Sequence, residues 1–141
     1  MFRVKSAGTP DPHVKVGIIK IRELSEFGDK NLMPLIDRLS AIGCSTEHIV
    51  LRSVAKLYDV IMMIQYFAQY TDVDSVLILA PEQRVTATPA LIDGIIRLQC
   101  QWNMYVAMGG AERADDIQEM YSSFIEMEQS APDQDFDPNI S

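Results

Sequence analysis

Apolar runs and amphipathic segments alternate along the chain. Near-continuous apolar runs occupy 14–22 and 74–80, and two further apolar runs occupy 48–54 and 104–109. The run at 14–22 is rich in Val and Ile, which predicts a strand buried on both faces of a sheet. The other three runs predict three further strands, of which 74–80 is the most apolar.

A helix is predicted after each strand, at 25–43, 57–70, 89–102 and 114–129. In the first of these segments, Leu and Ile recur at spacings of three and four, as in an amphipathic helix. The last helix opens with an Asp–Asp pair, which the positive end of a helix dipole favours.

Four residues are expected to mark helix ends. Gly43 occupies a C-terminal cap position. Pro34 is expected in the first turn of its helix, since an interior proline would break the helix. Thr88 and Pro89 form a helix start, with the threonine hydroxyl as N-cap and proline at the first helical position.

The repeated strand–helix order implies a parallel sheet covered by helices on both faces. A length of 141 residues fits one such domain. We assign 14–129 to this α/β domain, 1–13 to an N-terminal arm and 130–141 to an acidic mobile tail. The arm begins with MFRVK, which could add an edge strand to this sheet or to that of a neighbouring subunit.

The second predicted helix is apolar on more than one side. It carries Met62, Met63, Tyr66 and Phe67, which is more than packing against one sheet face requires. Such a surface favours a contact between subunits.

The net charge of −8 is unevenly distributed. All 12 Lys and Arg residues lie at or before Arg113, whereas residues 114–141 hold eight of the 20 acids and no base. The first 113 residues are therefore neutral, with 12 acids against 12 bases. We expect no nucleic acid partner, because phosphate contacts need a basic face.

The remaining composition indicates a protein of the cytoplasm or an organellar matrix. No apolar run approaches the roughly 20 residues that a membrane helix needs, so we expect no membrane partner. The N-terminus lacks the apolar core of a signal peptide, which predicts that the protein is not secreted. Cys44 and Cys100 form neither a disulfide framework nor a metal knuckle, and are expected to be reduced thiols.

The common cofactor and catalytic motifs are missing from the sequence. It has no GxGxxG after the first strand, no P-loop, no GxSxG and no HExxH. We therefore expect no cofactor and no metal. Neither His13 nor His48 lies where a general base is expected, and Glu23 and Glu82 are candidates only by their position after strands.

The segment from Ala80 to Thr88 is the best candidate for a binding loop, because ligands of open α/β sheets bind at the carboxyl ends of strands. The helix start at Thr88 offers free backbone amides, and Arg84 lies nearby. With Thr86, these residues could hold a phosphorylated small molecule.

Five segments follow the apolar pattern of a known enzyme family in the same order. They are VGIIKIR, LIDRLSAIG, DVDSVLILA, DGIIRLQCQWNMYVAMG and DDIQEM. Through them, the chain from Val14 to Phe124 resembles lumazine synthase of the riboflavin pathway and its archaeal riboflavin synthase relatives. The resemblance implies a three-layer flavodoxin-like sandwich with about four parallel strands, and a homo-oligomer such as the family's pentamers.

The family's substrate-binding motifs are altered here. Its PGAFEIP-like stretch corresponds to SVAKLYD at 53–59. In its RGxTxH-like loop, Arg84 is kept, but Val85 replaces the glycine. Pro89 falls where the family has the histidine proposed to transfer a proton.

Two further residues match the family only loosely. Phe27 is the nearest counterpart of the aromatic residue that stacks on the substrate ring. Arg113 could replace the family's phosphate-binding arginine only if the alignment shifts. The resemblance therefore implies a fold that is retained and a catalytic site that has degenerated.

Three hypotheses follow. The first is a structural or interaction subunit of a homo-oligomer or larger assembly. The second is an active lumazine synthase that condenses a ribityl-aminopyrimidine with a butanone phosphate. The third is a flavodoxin-like adaptor that docks a basic partner through its acidic tail.

Overall fold

A computed structural model describes residues 15–130, with side chains to Ser122. This part of the chain forms a four-stranded, all-parallel sheet in the order β2-β1-β3-β4. The strands are β1 (Val16–Ile21), β2 (Ile49–Val54), β3 (Ser75–Leu79) and β4 (Tyr105–Gly109). Each strand lies within its predicted range. The MFRVK segment and the acidic residues 131–141 lie outside the described residues.

Five α-helices connect and follow these strands. They are α1 (Ser25–Ala41), α2 (Val60–Tyr70), α3 (Glu82–Thr86), α4 (Pro89–Trp102) and α5 (Ala114–Ser130). Short 3₁₀ turns occupy 22–24, 46–48, 57–59 and 111–113. The predicted three-layer, flavodoxin-like α/β fold is confirmed, since the strand order is that of the flavodoxin class.

The two central strands are covered on both faces. Every residue of β3 is buried, as is all of β1 except the partly exposed Lys20. By contrast, β2 lies at an edge and exposes Leu51, Arg52 and Ser53. The apolar runs in the sequence therefore identify the interior strands correctly.

The helices divide between the two faces of the sheet. Leu35 and Leu39 of α1 pack with Ile117 of α5 on one face. On the other face, Ile64 and Phe67 of α2 pack with apolar side chains of α4 and with Val85 of α3. The core therefore consists of two apolar layers separated by the sheet.

Gly17 in β1 allows close packing between the sheet and α2. A Cβ atom at this position would lie 2.9 Å from two ring carbons of Phe67. The ring itself is fully buried. The absence of a side chain at Gly17 thus makes room for the largest buried side chain of this layer.

Two local expectations are wrong. Pro34 is not in the first turn, because α1 begins at Ser25 and continues through the proline, whose side chain is exposed. Thr88 makes no side-chain capping bond, although α4 does begin at Pro89. Its hydroxyl instead donates to the Arg84 carbonyl at 3.3 Å, because the short helix α3 brings that carbonyl close.

Other boundaries agree with expectation. Gly43 follows α1 with a φ of 102°, the left-handed conformation of a glycine at a helix end. Cys44 is buried, Cys100 is exposed, and neither forms a disulfide bond. Burial raises the pKa of the Cys44 thiol to about 11.

The close packing at Gly17 predicts that Gly17→Ala destabilises the protein by about 1–3 kcal/mol, because an added methyl group overpacks the core. Urea unfolding would measure this. In a Phe67→Leu background, the added methyl group has more room and should cost less. Equal costs in both backgrounds would show that the ring does not set the constraint.

Candidate functional site

The carboxyl edge of the sheet is where this fold class binds ligands. In the sheet, β2 lies on one side of β1, while β3 and β4 lie on the other side. The loops after β1 and β3 therefore diverge and leave a crevice between them. Four polar residues near this edge make its longer-range contacts: Glu23, Asn31, Glu82 and Arg113.

The carboxylate of Glu23 is used to cap a turn. Its Oε2 accepts a hydrogen bond from the Leu57 backbone N–H at 2.8 Å. The backbone N–H of Glu23 donates to the Ala55 carbonyl at 3.1 Å. Glu23 thus joins the loop after β1 to the turn before α2, through one oxygen of its carboxylate.

Arg113 lies at the centre of the polar network on the other side of the crevice. Its Nη2 donates to Glu82 Oε1 at 2.8 Å and its Nη1 to Asp116 Oδ2 at 2.9 Å. Its Nε donates to the Met108 carbonyl at 2.9 Å. One guanidinium therefore joins the start of α3, the end of β4 and the start of α5.

The charges around Arg113 oppose anion binding. Glu112 lies 3.9 Å from its Nε, so three carboxylates surround the one guanidinium. The hydrogen bond with Asp116 is the main cause that raises the pKa of Arg113 above its ordinary value. A phosphate at this position would be repelled by Glu82, Glu112 and Asp116.

Asn31 is a structural residue that the sequence analysis missed. Its Oδ1 accepts a hydrogen bond from the Ala111 backbone N–H at 3.0 Å, and its Nδ2 donates to the Phe27 carbonyl at 3.0 Å. A Cβ at Gly110 would collide with the Asn31 amide. The only signal in the sequence was a polar residue next to the apolar stripe of α1.

The structure places the predicted anion-binding residues on two helix layers and gives their hydroxyls local partners. Thr86 and Thr88 donate their hydroxyls to the backbone carbonyls of Glu82 and Arg84. Arg84 is exposed on α3. Phe27 lies in the first turn of α1, in the other helix layer.

A groove lies beside this edge, between β2 and α2, with a volume of about 610 Å³. Its lining is mostly apolar, with one basic and one acidic residue: Arg52, Val54, Ala55, Asp59, Met62, Met63 and Tyr66. The guanidinium of Arg52 lies 5.8 Å from the centre of the Tyr66 ring. Neither Arg52 nor Asp59 belongs to a motif that could be recognised in the sequence.

Next to the groove runs an exposed apolar ridge along α2. Tyr58, Met62, Tyr66 and Tyr70 form this ridge, at successive spacings of four residues. Their exposed fractions are 64%, 70%, 36% and 73%. Phe67, which the sequence analysis placed with Met62, Met63 and Tyr66 in a subunit contact, is instead fully buried.

No known family model matches the chain, and no curated protein matches its sequence. Among the described residues, no helix is long and apolar enough to cross a membrane. The same residues contain no cluster of His, Cys, Asp or Glu that could hold a metal ion.

The network around Arg113 predicts that Arg113→Met lowers the free energy of unfolding by about 1–3 kcal/mol, because two carboxylates and a carbonyl lose their hydrogen-bond donor. Arg38→Met is the matched control. Among the described residues, the Arg38 side chain makes a single 3.9 Å surface contact, with Asp115, so the change should stay within about 0.5 kcal/mol. Equal effects in urea unfolding would contradict a structural role for Arg113.

Proposed function

We propose that the protein is a lumazine-synthase-like subunit that has lost catalysis and works by associating with copies of itself. The observation that carries this proposal is the exposed ridge on α2. Large aromatic and Met side chains on a helix surface have a free-energy cost in water that burial against a partner removes.

The composition of α2 supports association. Its sequence, VIMMIQYFAQY, contains no charged residue, although the chain as a whole is 23% charged. Cores of protein interfaces are depleted of charge and enriched in Tyr and Met. An uncharged, Tyr- and Met-rich helix surface fits an interaction surface better than a solvated one.

The carboxyl edge of the sheet supports the loss of catalysis. Glu23 caps a turn, and Arg113 is held by Glu82 and Asp116. A phosphate-binding site needs donors that are free to meet the anion. At this edge, Glu23 and Arg113 instead hold the loops together.

The mass of the native protein tests association. Light scattering across a range of concentrations should give a mass larger than one 15.9 kDa chain. A strictly monomeric protein at every concentration would contradict the proposal.

A second candidate is an active lumazine synthase. The observation that favours it is the groove between β2 and α2, whose volume is in the range of small-molecule sites. Calorimetric titration with a ribityl-aminopyrimidine and a butanone phosphate, followed by an absorbance assay for the lumazine, separates the two candidates. We expect neither binding nor product, and turnover would establish the enzyme.

A further inference from the structure

We infer that the groove between β2 and α2 is a docking site for an extended peptide segment of a partner protein. The segment adds as a strand to the open edge of β2 and places one acidic and one large apolar side chain against the groove. This inference goes beyond the proposed function, because it does not require self-association.

The two edges of the sheet differ in how their backbone groups are paired. At the β4 edge, the Val106 N–H donates to Gln99 Oε1 at 2.9 Å, and the Met108 carbonyl accepts from Arg113 Nε at 2.9 Å. Side chains thus close this edge. By contrast, β2 pairs with β1 alone among the described residues. An edge strand of this kind presents a row of unpaired N–H and C=O groups, which is a template for a further strand.

The backbone groups of Leu51 and Ser53 face outward from β2. The Leu51 carbonyl accepts a hydrogen bond from Arg52 Nη1 at 2.9 Å, which places this carbonyl on the free side of the strand. Alternate residues of a strand direct their backbone groups to the same side, so the N–H and carbonyl of Ser53 also face outward. Both residues are exposed. The edge therefore offers main-chain hydrogen bonds to an incoming strand.

The groove lies where a strand on this edge would place its side chains. Arg52 and Val54 of β2 line it, with Met62 and Met63 of α2. Because Arg52 and Val54 are two residues apart, their side chains lie on the same face of β2. The alternate side chains of an added strand would lie beside them. Peptides that add to a sheet edge gain affinity from the backbone hydrogen bonds and specificity from pockets of this kind.

The walls of the groove are held in place without a ligand. The Ala55 carbonyl at the end of β2 accepts from the Glu23 N–H at 3.1 Å, and Glu23 Oε2 accepts from the Leu57 N–H at 2.8 Å. At the start of α2, Asp59 Oδ2 accepts from the Lys56 N–H at 3.0 Å. A preformed site loses less conformational freedom when a peptide binds.

Charge selects an acidic residue in the partner segment. The guanidinium of Arg52 lies 5.8 Å from the centre of the Tyr66 ring and forms no ion pair with a described residue. Its remaining N–H groups suit a carboxylate, which can accept two parallel hydrogen bonds. Since Val54 lies two residues further on, the complementary segment has Asp or Glu two positions from a large apolar residue. The order of the two depends on the direction of the added strand.

The chain itself does not supply such a segment at either end. Neither residues 1–14 nor residues 131–141 contain an acid two positions from a large apolar residue. The open strand that a second copy could offer, β2, has the sequence IVLRSV and contains no acid. Complementarity to Arg52 therefore favours a different protein as the partner.

Calorimetric titration of the full chain with short peptides tests the inference. The probes are acetylated, amidated peptides of sequence TTETFTT and TTFTETT, one for each strand direction. At least one of them should bind saturably. The peptide TTEFTTT has the same composition but places Glu and Phe on opposite faces of a strand, so it should bind at least about 10-fold more weakly.

Substitutions in β2 separate the two parts of the contact. Arg52→Met should weaken binding by about 10-fold to 100-fold, because the charge-assisted hydrogen bonds are lost. Arg84→Met, which removes an exposed base outside the groove, should bind as the wild type does. Ser53→Pro should abolish binding by removing an outward N–H at an edge where proline is tolerated, whereas Ser53→Ala should not. Urea unfolding checks that each variant is folded.

Hydrogen exchange keeps the test independent of the proline variant. Bound peptide should slow exchange of the Ser53 N–H in the wild type, because that group becomes hydrogen-bonded. Failure of both probes to bind would overturn the inference. Equal binding of TTEFTTT, full binding by Arg52→Met, or unchanged exchange at Ser53 would also overturn it.

Light scattering during the titration separates the inference from the proposed function. A monomeric protein that binds the peptide would contradict self-association and support the inference. An assembly that dissociates as the peptide binds would show that copies of the chain occupy this edge. That result would overturn the inference and leave self-association standing.

Discussion

Burial of β1 and β3 on both faces is the constraint on which the rest of the structure depends. A strand without a solvent face needs a helix layer on each side, and α1 with α5 and α2 with α4 provide the two layers. The same constraint moves polar groups to the ends of the strands. Lys20, the partly exposed residue of β1, accordingly pairs with Asp29 of α1.

Polar groups gathered at strand ends can bind a ligand or hold the loops together. Here they hold the loops. Glu23 joins the loop after β1 to the turn before α2, and Asn31 joins α1 to the turn after β4. Arg113 connects α3, β4 and α5. The edge that serves chemistry in related architectures thus contributes stability, and the uncovered surface lies instead on α2.

Much of the fold could be predicted from the sequence, because apolar periodicity reports burial and burial decides the elements. The continuation of α1 through Pro34 could not be predicted, because it depends on the burial of Leu35 and Leu39 beyond the proline. The site was less predictable still. Arg113 and Glu82 are 31 residues apart, so only the folded topology brings them together. The ridge on α2 was predictable in part, since its four-residue spacing is visible in the sequence but the burial of Phe67 is not.

The order of the strands has a consequence for how the chain folds as it is made. During synthesis, β2 finds β1 already present, β3 finds the free side of β1, and β4 finds β3. Each strand after β1 therefore finds a partner strand that has already been synthesised. The sheet can therefore grow outward during translation, and the period in which an apolar strand such as β3 lacks a partner is short.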